Sequence, residues 1–230
     1  MHSDVYGQAL SDYYHNGINS SLLLNNNYGD PEEMPVEVFF RSEDDLTDLE
    51  QYALHLCRGK ILDIGAGVGV HSLILQQELE VAAIETSEKA CEIMRKRGVH
   101  EVFCQNIFHW QTNNTYDTLL LLMNGTGISG TRDNFKRFLR KLGALLSDGG
   151  QIIIDSSDIS YLYEGHLPSN TYFGEVLYQY EYKGLKGEWF PWLYLDQTTL
   201  IRVAGEAGFD TQIVYQGDED EYLAVLKVFS

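Results

Sequence analysis

The run ILDIGAGVGV over residues 61–70 constrains this chain more than any other segment. Residues 60–64 suit a strand buried on both faces, which places it inside a parallel sheet. Gly65, Gly67 and Gly69 then form a turn whose backbone, free of Cβ atoms, can come close to a bound molecule. The next apolar run ends in Glu85, twenty residues after Gly65. A carboxylate at that offset can accept hydrogen bonds from two ribose hydroxyls. Turn and acid together point to an adenosine-containing ligand.

Around this pair, strand and helix patterns alternate. Further strands are expected over 81–85, 101–104, 118–123 and 151–155, with helices over 70–79, 87–97 and 131–142. Such alternation specifies a doubly wound sheet. Residues 175–182 and 188–194 read as a hairpin, an insertion at about 172–194. A helix capped by Asp196 and a strand pair over 210–215 and 222–229 close the chain. Upstream, Ser42 with Asp45 three residues later reads as a capping box that opens a helix. Residues 1–41, rich in Tyr and Asn, read as an irregular or partly helical cap, with 25–31 a loop. The expected organisation is a cap or lid over 1–41 and an α/β domain over 42–230.

The chain carries 34 acidic against 16 basic residues, a formal net charge of −18. A surface of that sign repels phosphate backbones and anionic lipid, so neither nucleic acid nor membrane is an expected partner. The basic cluster Arg132, Lys136, Arg137, Arg140 and Lys141 reads as one solvated helix face. No apolar run approaches the roughly 18 residues of a membrane span. The opening MHSD lacks the features of a secretory signal, and a cytoplasmic location is expected. Cys57, Cys91 and Cys104 lie far apart in sequence, which suggests buried thiols and no metal site.

In order and spacing, these segments resemble the class I S-adenosylmethionine-dependent methyltransferases over about residues 46–229. Residues 63–69, DIGAGVG, are similar to that family's first motif, and Glu85 to its ribose-binding acid. Residues 105–108 stand where the family places an adenine-contacting segment, and 117–125 resemble its fourth motif. The resemblance implies a Rossmann-like, seven-stranded α/β sheet, mostly parallel with an antiparallel terminal strand and helices on both faces. It implies S-adenosylmethionine as cofactor, held by Asp63, Gly65, Ala66, Gly67, Glu85, Thr86, Asn106, Ile107, Met123, Asn124 and Gly125. Asn106 offers both donor and acceptor for an adenine edge, with Ile107 and Phe108 against the ring or simply in the core. The NGTG of 124–127 departs from the NPPY-type tetrapeptide of methyltransferases that act on planar amino groups of bases or glutamine.

The activity so implied moves a methyl group by in-line displacement to a small-molecule acceptor whose identity the sequence leaves open, as it does the oligomeric state. Tyr6, Tyr13 and Tyr14 are candidates to close over the sulfonium, where an aromatic face attracts a cation, or to serve only as lid packing. Arg41 is a candidate partner for a carboxylate of cofactor or substrate, or a surface arginine. Trp192, with Trp189 and Tyr194, is a candidate pocket wall. Asp155 and Tyr14 are the candidate bases, Asp155 alternatively a loop start that binds turn amides. Two rival readings stand beside this one. An NAD-dependent oxidoreductase would need a glycine where Val70 stands. A non-catalytic nucleoside-binding module would keep the same turn and acid.

Overall fold

Leu62 and Ile64 pack into one core cluster and Ile61, one residue earlier on the same strand, into another. This period-two sorting is what a strand with helices on both sides produces. The computed structural model describes residues 4–17, 21–163 and 165–229. In chain order the elements are α1 (Val5–Asn16), β1 (Ser21–Asn26), β2 (Glu32–Pro35), α2 (Asp48–Leu56), β3 (Lys60–Ile64), α3 (Val70–Leu75), β4 (Glu80–Glu85), α4 (Glu88–Arg97) and β5 (Glu101–Cys104). There follow β6 (Tyr116–Leu121), α5 (Arg132–Gly143), β7 (Leu146–Ser157), β8 (Glu175–Tyr182), β9 (Leu185–Lys186), β10 (Phe190–Leu193), α6 (Gln197–Ala207), β11 (Phe209–Gln216) and β12 (Glu221–Val228).

Seven strands form one sheet of mixed orientation, in the order β11-β12-β7-β6-β3-β4-β5. The ladders among β5, β4, β3, β6 and β7 are parallel. Strand β12 enters antiparallel between β7 and β11. On one face, Phe135, Phe138, Leu139 and Leu142 of α5 and Leu200, Val203 and Ala204 of α6 are buried against Leu119, Leu121, Ile152 and Ile154. Each such Leu, Ile or Phe contributes roughly 1.5–3 kcal/mol by leaving water. On the other face, Leu49 and Ala53 of α2 and Leu75 of α3 meet Ile61, Leu120 and Ile153. The basic residues of α5 lie on its solvent side, where Lys136 pairs with Glu206 at 2.9 Å.

Residues 4–17 and 21–41 include the helix expected of a partly helical cap, α1, but two strands stand where an irregular segment was expected. Strand β1 pairs antiparallel with β2 and also with β8, and β8 pairs in turn with β10. The amino-terminal segment and the distant hairpin thus share one antiparallel sheet. The Asn-rich loop of 25–31 is shorter than its composition suggested, because 21–26 is strand and the turn begins at Asn26. The expected helix start also shifts. The Ser42 amide donates to Asp45 at 3.1 Å around a single 3-10 turn. The true start is Thr47, whose hydroxyl accepts from the Glu50 amide at 3.2 Å while the Glu50 carboxylate takes the Thr47 amide at 3.0 Å. No helix among the described residues is long and apolar enough to cross a membrane.

Candidate active site

Strand β3 delivers Asp63 and then the glycine turn to the carboxyl edge of the sheet, where open α/β sheets bind ligands. Gly65 and Gly67 have φ of 76° and 54°, a region that L side chains avoid. A Cβ on Gly65 would stand 2.9 Å from Ile128 Cδ1, and one on Gly67 would stand 3.2 Å from the Tyr6 hydroxyl. Asp63 is buried and accepts from the Ser72 hydroxyl at 2.6 Å. Burial pushes its carboxyl above the usual range, while His71 and Ser72 pull it back.

At the end of β4, the Glu85 carboxylate is preorganised by backbone. It accepts from the amides of Gly67 at 3.1 Å, Thr86 at 2.6 Å and Ser87 at 2.9 Å. Burial raises its pKa, and those donors oppose the rise. Beyond β5, Asn106 spends its carbonyl on the Phe108 amide at 2.9 Å, which leaves its NH2 for a ligand. Ile107 is buried, and Phe108 lies against Phe138 with ring centres 5.0 Å apart.

Strand β6 stops at Leu121, earlier than expected, because Met123 and Asn124 both adopt left-handed backbone, φ 63° and 62°. Asp155 at the end of β7 holds that strained turn. Its two oxygens accept from the amides of Asn124 at 2.9 Å and Gly125 at 2.8 Å. Burial raises the Asp155 pKa to about 6, against the pull of these amides.

These parts meet in one cavity of about 730 Å³, within the range of small-molecule sites. The glycine turn, Glu85 and residues 105–108 form its floor, and the antiparallel sheet supplies the facing wall with Tyr178, Tyr180, Phe190 and Trp192, joined by Tyr194 just past β10. Tyr6 stacks on Tyr180 at 5.4 Å and meets Phe39 edge-on at 5.2 Å. The wall is fastened to the floor at Gly127, where a Cβ would fall inside the Trp192 ring. Close by, the Thr126 hydroxyl donates to the Leu193 carbonyl at 2.9 Å.

A methyltransferase-domain family model matches residues 61–150. The crystal structure of an S-adenosylmethionine-dependent methyltransferase from Bacteroides fragilis, in complex with S-adenosyl-L-homocysteine, has 38% identity and a TM-score of 0.91, covering 99% of this chain and 95% of that one. The chain belongs to the S-adenosylmethionine-dependent methyltransferases. Two remoter structures share the fold alone. The CcbJ methyltransferase of Streptomyces caelestis is 15% identical, with a TM-score of 0.62 over 81% of this chain and 94% of that one. A sugar N-methyltransferase from a Streptoalloteichus species is 15% identical, with a TM-score of 0.59 over 92% and 98%. No curated protein matches the sequence detectably.

In this methyltransferase, Asp63, Gly65, Ala66, Gly67, Glu85, Thr86, Asn106, Ile107, Met123, Asn124 and Gly125 all line the cavity, as do Tyr6 and Trp192. Four of the expected residues do not. Tyr13 packs on Phe40 at 4.7 Å, and Tyr14 lies over Phe40 at 6.3 Å near the surface. Arg41 is drawn aside by Glu50, with two bonds of 2.8 and 2.6 Å. Asp155 lies behind the lining, with each of its oxygens accepting from a turn amide as just described. Sequence reasoning missed His71, a cavity residue bonded to Glu50 at 3.0 Å. It missed Tyr178 and Tyr180 as well, although the alternation of Val176, Tyr178, Tyr180 and Tyr182 along one strand was there to see. Among the described residues no group of His, Cys, Asp and Glu is arranged to hold a metal ion.

Proposed function

We propose that this methyltransferase binds S-adenosylmethionine along the glycine turn, with Glu85 on the ribose and Asn106 and Ile107 at the adenine. On this reading its acceptor is a small molecule seated under the antiparallel sheet, which acts as a lid. The bound cofactor supplies a methyl group already activated on a sulfonium. What the chain must add is position and dryness. Holding two reactants in line can supply roughly 7–11 kcal/mol of the barrier. The aromatic wall excludes water and favours positive charge, each ring over a cation giving roughly 0.5–2 kcal/mol.

The observation that carries this reading is the cavity's continuity, from the turn and Glu85 on one side to Tyr178, Tyr194 and Trp192 on the other. Its charged lining supports a neutral or cationic acceptor: among the described residues it holds Asp4, Asp63, Glu85, Glu188 and His71 and no lysine or arginine. The net charge of −18 supports a small molecule over nucleic acid. The test is thermal denaturation with S-adenosyl-L-homocysteine, followed by calorimetry. A rise in Tm and micromolar binding are expected. No shift with the nucleoside, or an equal shift with NADH, would refute the cofactor site.

A further inference from the structure

Three phenols run in file from the cavity to the protein surface. The Tyr194 and Tyr178 hydroxyl oxygens are 3.1 Å apart, those of Tyr178 and Tyr28 are 2.8 Å apart, and the Tyr28 hydroxyl donates to Glu32 at 2.5 Å. Tyr194 and Tyr178 line the cavity, whereas Glu32 is exposed on β2. The Asn-rich loop positions Tyr28 in this file. The Asn26 side-chain carbonyl accepts from the amides of Tyr28 at 3.1 Å and Gly29 at 2.7 Å, and the Asn27 carbonyl takes the Leu177 amide of β8 at 2.8 Å.

The terminal carboxylate fixes the direction of the whole file. A carboxylate only accepts, and each phenol has one proton to give. Tyr28 gives its proton to Glu32, so its oxygen must accept from Tyr178, and that of Tyr178 from Tyr194. Burial raises the pKa of all three phenols, so each keeps its proton at neutral pH. With its proton committed, Tyr194 has only lone pairs left for the cavity.

We propose that Tyr194 is a specificity-determining residue, held acceptor-only by Tyr178, Tyr28 and Glu32, and that it selects a methyl acceptor bearing an N–H or O–H group, an amine above all. This rests on the cofactor reading above and adds the chemical class of the acceptor. An amine satisfies the lone pairs and suits the acidic, aromatic lining. A carboxylate or thioether leaves the buried oxygen without a donor, and the mismatch weakens binding.

The test uses the full chain saturated with S-adenosyl-L-homocysteine, with benzylamine, benzoate and benzyl methyl sulfide as probes in calorimetry or ligand-observed NMR. Benzylamine is expected to bind at least tenfold more tightly than the other two. Glu32→Gln, whose amide can also donate and so lets the file reverse, should cut that preference at least threefold, and Tyr194→Phe should cut it at least as far, leaving only what the acidic, aromatic lining confers. Neither variant should change the affinity for S-adenosyl-L-homocysteine, which shows that the fold is intact. Benzylamine binding no tighter than the sulfide or benzoate, or a preference that neither variant diminishes, overturns the proposal. Failure of S-adenosyl-L-homocysteine itself to bind the wild type sinks the cofactor reading instead.

Discussion

Replacing Glu50 by Gln changes one charge at the hinge between helix α2, the Arg41 segment and the cavity residue His71. The Glu50 side chain is only 6% exposed and that of Arg41 19%. Its carboxylate takes two bonds from Arg41, one from His71 and one from the Thr47 amide. Burial alone would raise its pKa, yet the bonds from His71, Arg41 and Thr47 more than offset this and bring it from 4.5 to about 2. That fall corresponds to about 3 kcal/mol of stability at neutral pH. The sign follows from the depressed value. The contribution is complete above 4.5 and is lost as pH falls through about 2. Glu50→Gln keeps the shape and leaves Arg41 and His71 facing a neutral amide. Urea unfolding near pH 7 should show a loss of about 3 kcal/mol, or about 6–12 °C in Tm. At pH 3.5 the linkage leaves about 2 kcal/mol in the wild type, so the gap between the two proteins should narrow by about 1.4 kcal/mol. A gap that stays constant between pH 7 and 3.5 would refute the assignment of this stability to the ionised carboxylate.

Gly65→Val and Glu85→Ala should each abolish measurable binding of S-adenosyl-L-homocysteine in calorimetry, the first by filling the turn and the second by removing the ribose acceptor; affinity unchanged in both would exclude this site. Gly67→Ala places a Cβ at φ 54° against the Tyr6 hydroxyl, and should lower stability by about 1–3 kcal/mol in thermal or urea unfolding. Gly127→Ala drives a methyl into Trp192 and should cost about 1–3 kcal/mol by overpacking. Because that contact fastens lid to floor, the same variant should weaken benzylamine binding to the S-adenosyl-L-homocysteine complex more than it weakens S-adenosyl-L-homocysteine itself; equal losses would argue against a lid.

The floor of the site was legible in the sequence because its parts are local. A glycine run, an acid at the end of the following strand and an Asn opening a turn are each marked by the few residues around them, and they recur at a spacing of about twenty residues. The central strands were legible for a related reason. A strand covered on both faces is mostly apolar, and Ile61, Leu62 and Ile64 show that without reference to any partner, Asp63 being the one polar residue among them. The candidates that lie outside the cavity, Arg41, Tyr13, Tyr14 and Asp155, are ones whose side chains had a choice of partners. Arg41 lies two hydrogen bonds from Glu50 and outside the cavity, a preference that depends on where α2 packs. Asp155 is claimed by amides some thirty residues away in sequence.

By itself, then, the order of apolar runs, glycines and acids determined the α/β scaffold and the expected cofactor, since short-range spacing encodes both. Only the tertiary structure joined residues 21–35 to the hairpin of 175–193 in one sheet over the opening. Pairing between strands some 150 residues apart leaves no local trace, because either strand could have satisfied its backbone elsewhere. The same pairing brought Tyr28, Tyr178 and Tyr194 into a single file, so the direction of that file, and what it asks of an acceptor, exists only in three dimensions.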